Sequence, residues 1–583
     1  MLGKIVYINN NTANVAIPED TRISTNLINM HIIFEDEKKK VLGEIVDISS
    51  QLIKIRFLGE IVDNKFIGGV IRKPTVNANV RMINAEELKL LIGENKPGTF
   101  LLGTSALYDN YPIMVNINDL FSHHTAIFGN SGSGKSCGVA RLLQNVFNNP
   151  NFLPYKANIF IFDTYGEYHN AFTNFNSINP NYQFKYYTTN DNDKNGEPLK
   201  IPLWLLSNDD IAILLNATEH AQLTIIEKMI KLVHIFTSKN EMAEKYKNHL
   251  IAKAILNILY TNESASSKRN DVFSIFNSCT TPEFNSEAVI QGIGYSRKFR
   301  ECFLINDDDN FSESVLLSNY VASFIDDNLE KYEENNINYF TLNDLENALN
   351  FALISEGLLK NEKIYNSAIT LKVRLHSIII SEYSKYFACK SFLTKEQYIA
   401  NLINKDNKKA QIINFNLEDV EDWFAKFVTK MYVKMLFNYT KDLPIRASIP
   451  FHIFLEEAHR YVQKDDDNYL LGYNIFDRVA KEGRKYGLIL NLISQRPIEI
   501  SDTVISQIAN FLVFKITHPL DLEYIEKMLP NISIEIIEKV KSLQPGTCMA
   551  FGKAFKIPLI VRMQLPNPMP ESGNCNIIST WKS

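Results

Sequence analysis

The residues with the clearest chemistry are consecutive: Gly129, Asn130, Ser131, Gly132, Ser133, Gly134, Lys135 and Ser136, followed by Cys137. They satisfy GxxxxGK[ST] between an apolar run, Thr125 to Phe128, and a helix-like segment carrying Val139, Leu142, Leu143 and Val146. Small residues let successive backbone N–H groups turn inward around phosphates, and a helix N-terminus adds partial positive charge. In such a loop Lys135 reaches the β- and γ-phosphates of a nucleoside triphosphate, and the Ser136 hydroxyl holds Mg²⁺. ATP and Mg²⁺ are therefore the expected ligands, with Gly129 to Cys137 as the nucleotide-binding stretch.

Hydrolysis needs a carboxylate that polarises water. "FHIFLEEAHR" supplies Glu456 and Glu457 at the end of an apolar run; Glu456 is expected in the Mg²⁺ shell with Ser136, and Glu457 as general base. "GRKYGLILNLISQRP" places Ser494 and Gln495 at the end of another buried strand, where Gln495 can sense the γ-phosphate. Arg484, ahead of that strand, is the expected arginine finger across a subunit boundary, with Arg478 and Arg496 as rivals. "IFDTYGEYHNAF" adds Asp163 and Glu167: either these acids cap a helix after a turn at Gly166, or Asp163 sits near the water or the metal. His452 and His459 lack HExxH spacing, so zinc is not expected.

These groups must be held by a sheet. "TAIF", "NIFIFD", "QIINFN", "FHIFLE", "LILNLIS", "FLVFK" and "CMAFG" are apolar throughout, as strands buried on both faces of a mainly parallel sheet are. The expected fold class is α/β: a P-loop NTPase core of the RecA/FtsK type over residues 96–204 and 406–565. Residues 1–95 alternate in bursts such as "LGEIVDI" and "LIKIRFLGEIV", the pattern of a small N-terminal β-barrel. Residues 205–405 read as an inserted helical subdomain, with Thr341 and Asp344 at capping-box spacing. The acidic runs Asp307 to Asp309 and Asp465 to Asp467 read as solvated loops, and the tail 566–583 as a segment without regular structure of its own that braces a neighbouring subunit.

The chain has 583 residues, 45% apolar and 22% charged, with a formal net charge of −5. This mixture fits a soluble protein of two or three domains, and any basic surface for nucleic acid must be local. Six cysteines lie scattered with no CxxC, as suits a reducing cytosol, and no apolar run reaches the roughly 18 residues needed to insert in a membrane. A cytoplasmic location is expected.

Taken together, "IFGNSGSGKS", "FDTYGEY", "FLEEAHR", "EGRKYGL", "LISQRP" and "LPNPMP" resemble, in order, the motifs of the HerA family of hexameric DNA translocases, related to FtsK and VirB4-like ATPases. The resemblance covers both ends and the ATPase core; the inserted segment matches only in helical character. It implies Lys135 and Ser136 as the nucleotide-binding pair, Glu457 as catalytic glutamate, Gln495 as sensor and Arg484 as a finger in trans. It further implies a homohexameric DNA translocase or helicase, with duplex DNA held independently of sequence. Its expected partner is a separate effector, a nuclease in end processing or a nuclease or sirtuin-like NADase in antiphage defence. A VirB4-like secretion ATPase and an ATP-binding ring scaffold that activates an effector are the alternatives. Two departures stand out: Glu456 replaces the usual Asp, lengthening the Mg²⁺ ligand by one methylene, and Thr164 stands where relatives often carry an acid or a proline.

Overall fold

The computed structural model describes residues 2–18, 27–36, 39–49, 51–108, 110–334, 336–355, 362–463, 467–528, 534–573 and 577–581. The chain divides into two compact units. One comprises Met1–Glu197, Asn401–Asp465 and Tyr473–Ser583; the other comprises Pro198–Ala400 with Asp466–Gly472.

The first unit is built on a large mixed sheet. From the strand Phe184–Thr188 its order runs through Ile412–Asn416, Ile159–Asp163, Phe451–Leu455, Leu488–Ser494 and Thr125–Phe128 to Asn510–Val513, all parallel. Helix Lys135–Phe147 follows the strand Thr125–Phe128 and buries Val139, Leu142, Leu143 and Val146 in the core. The Thr125–Phe128 strand is buried at every position, as its unbroken apolar character requires for a strand with neighbours on both sides.

Beyond Asn510–Val513 the direction alternates. Thr547–Gly552, Leu559–Arg562, Thr99–Ser105 and Pro112–Asn116 add in succession, each antiparallel to the last. The "CMAFG" strand, expected among the parallel ones, therefore runs the other way. Apolar continuity reports burial on both faces, and that is the same for either direction. Beside the seven strands that apolar runs announce, the sheet holds Phe184–Thr188, Glu197–Pro198, Thr99–Ser105, Pro112–Asn116 and Leu559–Arg562, whose apolar runs are short or interrupted by polar residues.

Residues 4–82 form an antiparallel sheet in the order Lys4–Ile8, Thr12–Ala16, Leu52–Val62, Lys39–Ile48, His31–Asp36, Asn79–Met82, with Lys65–Gly68 beside Leu52–Val62. Ile32, Phe34, Val41, Ile45, Ile53, Ile55 and Val80 fill one core. Leu2 N–H donates to the Val80 carbonyl at 2.8 Å, so the two end strands meet. Helix Ala85–Ile92 leads out through a capping box in which Glu87 also receives Arg81 and Lys40.

The second unit is mainly helical, with His220–Thr237, Glu241–Leu259, Ala265–Ser278 and Leu342–Ser355 among its longer helices and a hairpin at Val289–Gly292 and Tyr295–Lys298. Thr341 and Asp344 make the reciprocal cap their spacing predicts: Asp344 N–H donates to Thr341 Oγ1 at 3.3 Å and Thr341 N–H to Asp344 Oδ2 at 2.8 Å. Asp307 to Asp309 are exposed. Of the other acidic run only Asp467 lies within the described residues, opening the short helix Asp467–Leu471.

Candidate active site

The loop after Phe128 is shaped by its own backbone. Ser133 N–H donates to Asn130 O at 3.2 Å, Ser133 Oγ to the same carbonyl at 2.7 Å, and Lys135 Nζ to it at 3.1 Å. Asn130 is fixed from outside by Lys515 O and Thr517 Oγ1. Gly134 has φ 100°, and a Cβ there would lie 2.9 Å from Gly546 N, so only glycine fits. The helix opens at Lys135 with no side-chain cap, which leaves its first N–H groups for a ligand.

Lys135 is 8% exposed. Burial lowers its ammonium pKa, while Glu457, Glu456 and Glu167 pull it back up. Three carboxylates thus face the phosphate lysine from two strand ends, Phe451–Leu455 and Ile159–Asp163.

Glu457 follows the strand end in the left-handed region, φ 46° and ψ 49°, a conformation that costs a non-glycine residue roughly 1–2 kcal/mol. Gln495 Nε2 donates to its Oε1, from the end of the adjacent parallel strand. Its Oε2 lies 3.3 Å from His459 Nδ1, and that ring nitrogen is 3.1 Å from Ser494 Oγ. The backbone strain and these side-chain contacts fix one orientation of the carboxylate.

Glu456 is buried, and burial followed by the neighbouring Asp163 carboxylate drives its pKa well above the carboxylate range. The Thr164 hydroxyl donates to the Glu456 carbonyl at 3.0 Å and is 2.7 Å from Tyr461 Oη, contacts that an acid or a proline at this position would not make in the same way.

Asp163 accepts Glu167 N–H at 3.0 Å, Tyr168 N–H at 2.9 Å and Asn414 Nδ2 at 3.1 Å. These are the bonds of a residue that fixes the turn at Gly166 and presents Glu167. Glu167 was read in the sequence only as a helix-capping acid. Its pKa is raised, first by burial, and the Ser136 hydroxyl beside it offsets part of that rise. The missed signal was a second acid four residues after Asp163.

Arg484 occupies the other end of the sheet. It is exposed in the last turn of helix Ile475–Tyr486, ahead of strand Leu488–Ser494, and its charge acts on His123 and His124. Lys135 and its loop lie beyond Phe128, which pairs with Ser494 at the strands' opposite ends. Arg484 therefore does not serve the loop of its own chain. Arg478 lies over the Phe437 and Tyr473 rings, and Arg496 pairs with Glu499 at 2.9 Å.

The tail runs along the loop helix of its own chain. Gln144 donates to Pro568 O at 2.9 Å and accepts Asn567 N–H at 2.9 Å. Glu571 N–H donates to Glu167 O at 2.8 Å, and Cys137 Sγ is 4.0 Å from Ser572 Oγ. Ile577–Trp581 is helical, although the composition predicted no regular structure.

Among the described residues no three His, Cys, Asp or Glu side chains are arranged to cage a metal. Glu456 Oε2 and Glu167 Oε2 are buried without hydrogen-bond partners. One hydroxyl, orphan carboxylate oxygens and an adjoining phosphate cradle fit Mg²⁺, which takes one or two protein ligands and completes its shell with water and phosphate oxygens.

Residues 100–287 match the family model described as "Helicase HerA, central domain". The DNA double-strand break repair helicase HerA of Sulfurisphaera tokodaii is 25% identical over 271 residues, 46% of this chain and 52% of that protein, so the match spans about half of that relative. HerA of Saccharolobus solfataricus is 24% identical over 510 residues, 87% of this chain and 77% of that protein. Among solved structures the bacterial conjugative coupling protein TrwB aligns over 85% of this chain and 95% of its own, at 12% identity and a TM-score of 0.42.

Proposed function

We propose that this chain, which carries a HerA-type central domain, is a Mg²⁺-dependent ATPase that moves along duplex DNA as a homohexameric ring. The observation that carries the reading is the opposition of Lys135 and Ser136, at an uncapped helix start, to Glu457 held by Gln495.

Each residue has a task in that arrangement. The 129–134 loop and Lys135 bind the phosphates, and Lys135 offsets charge that grows on the β–γ bridge as it breaks. Ser136 and Glu456 would hold Mg²⁺, with Glu167 beside Ser136; when bound, the ion supplies charge neutralisation between the β- and γ-phosphates. Glu457 accepts the proton of the attacking water, and Gln495 fixes the carboxylate that does so. Arg484 acts in trans on the neighbouring subunit's phosphates, since its own loop lies at the other end of the sheet.

We read the sheet of residues 4–82 as the small N-terminal barrel, a reading supported by the Leu2–Val80 hydrogen bond. Residues 205–405 we read as the inserted helical subdomain, a reading supported by the compact unit Pro198–Ala400 with Asp466–Gly472. A separate effector, nuclease or NADase, completes the proposal, in a reducing cytoplasm where Cys137, Cys279, Cys302, Cys389 and Cys548 stay free.

Glu456 in place of the usual Asp, one methylene longer as a Mg²⁺ ligand, supports a second reading, a ring that binds ATP and organises an effector with little turnover. The test is ATP hydrolysis titrated with linear duplex DNA, with the oligomeric mass recorded in the same buffer. DNA-stimulated hydrolysis by a six-subunit species supports the motor; hydrolysis indifferent to DNA, with effector activation surviving Glu457→Gln, selects the scaffold.

A further inference from the structure

At the N-terminal ends of the parallel strands, on the far side of the sheet from the phosphate loop, lies an open cleft of about 850 Å³. Phe121, Val146, Phe147, Phe152, Ile159 and Phe451 form much of its wall. Its size and apolar lining are those of a small-molecule site.

The polar groups on this wall include Lys156, Lys409, His452, Asn158 and Ser448. Among the described residues, the charged side chains lining the cleft are Lys156 and Lys409, and none is acidic. Lys409 donates to Ala157 O at 2.8 Å and to Asn158 Oδ1, two neutral acceptors, which leaves one ammonium hydrogen and the whole charge unanswered. Burial alone depresses its pKa to about 8, with no carboxylate close enough to raise it. His452, on the same wall, is part-buried with its Nδ1 shielded from solvent and lacking any hydrogen-bond partner, and its ring stands edge-on to Phe121 at 5.3 Å. A part-buried cation that meets only neutral acceptors and an orphan imidazole nitrogen beside an apolar hollow are costly unless something completes them.

We infer that this cleft is a binding site for an amphipathic anion, whose apolar body fills the hollow while its acidic head pairs with Lys409 and hydrogen-bonds His452. A neutral apolar ligand would leave the ammonium unpaired, and a cationic one would be repelled by both lysines. Val146 and Phe147 end the helix that begins at Lys135, and Phe451 and Ile159 begin the strands that end before Glu456 and at Asp163. An occupant therefore touches the far end of three elements that carry the candidate active site.

The site is tested on the full chain by calorimetric titration with dodecanoate below its micellar concentration, beside dodecanol and dodecyltrimethylammonium. The expected result is one dodecanoate per subunit, at least tenfold tighter than either comparison ligand. Lys409→Gln should weaken dodecanoate at least tenfold, and so should Ser448→Trp, which adds bulk at an exposed lining position, while both variants keep parental ATP affinity. Equal affinity for dodecanol, unchanged binding in Lys409→Gln, or no binding to the parent chain overturns the proposal. Binding seen only after the assembled protein is dissociated also overturns it, by showing that a second copy of the chain covers the cleft.

Discussion

Gln495 donates its side-chain amide to Glu457 from the end of the neighbouring parallel strand, and Glu457 receives it from a left-handed backbone. The pair fixes a carboxylate opposite Lys135 at the expense of local strain. Glu457→Gln should leave ATP binding intact and lower hydrolysis by roughly 10²–10⁴-fold, the span of a lost general base. Gln495→Ala should lower kcat by less, with KM little changed. Steady-state hydrolysis beside equilibrium ATP binding separates the two.

The same backbone makes a stability prediction. Glu457→Gly relieves the left-handed strain and Glu457→Ala does not, so the glycine variant should be the more stable of the two by about 1 kcal/mol in urea denaturation. Equal stability would mean that the side-chain contacts, and not the backbone, carry the cost.

Lys135→Ala should weaken nucleotide binding at least about 100-fold, the loss of roughly 3 kcal/mol expected when one partner of a buried charge pair is removed. Titration with a fluorescent ATP analogue measures it. Retained tight binding would remove the phosphate role of the loop.

Arg484 lies beside His123 and His124, away from its own Lys135. If it works across a subunit boundary, Arg484→Ala subunits mixed with Glu457→Gln subunits should recover part of the hydrolysis that each lacks alone. Mixing that restores nothing returns Arg484 to an ordinary surface role.

His124 sets an acid limit. Its Nδ1 accepts Leu490 N–H at 2.9 Å and its Nε2 faces Ala480 O at 3.1 Å, so both nitrogens serve the neutral ring. Burial is the main cause that lowers its pKa to about 4. The folded state therefore resists a proton that the unfolded chain takes up near pH 6.5, and stability present above that value is lost as pH falls towards 4. The loss is about 3 kcal/mol if His124 acts alone. His31 and His452, also lowered to about 4, steepen the same fall. Thermal melting from pH 7.5 to 4 should show it, and His124→Asn, which keeps one acceptor and one donor, should flatten the curve.

The phosphate loop and the Glu456–Glu457 pair were legible because each is a local run of residues at the end of an apolar strand. The buried parallel strands were legible for the same reason. What escaped depends on distance in the chain. Asp163 is engaged by Asn414, 251 residues away, which no local pattern announces. Glu167 faces Ser136 only because Asp163 holds the intervening turn. The left-handed geometry of Glu457 has no signature in two consecutive glutamates, and in the antiparallel part of the sheet the Gly-Thr-Ser end of Thr99–Ser105 hides that strand.

The strand order has a consequence for how the protein is made. Thr125–Phe128 lies between Leu488–Ser494 and Asn510–Val513, and the His124–Leu490 contact spans 366 residues. At a synthesis rate of roughly 5–20 residues per second, the buried strand that leads into the phosphate loop waits some 20 to 70 seconds for its neighbours to leave the ribosome. Through that interval an apolar segment with unpaired edges must be shielded, so the yield of native protein should depend on chaperone supply more steeply than its final stability suggests.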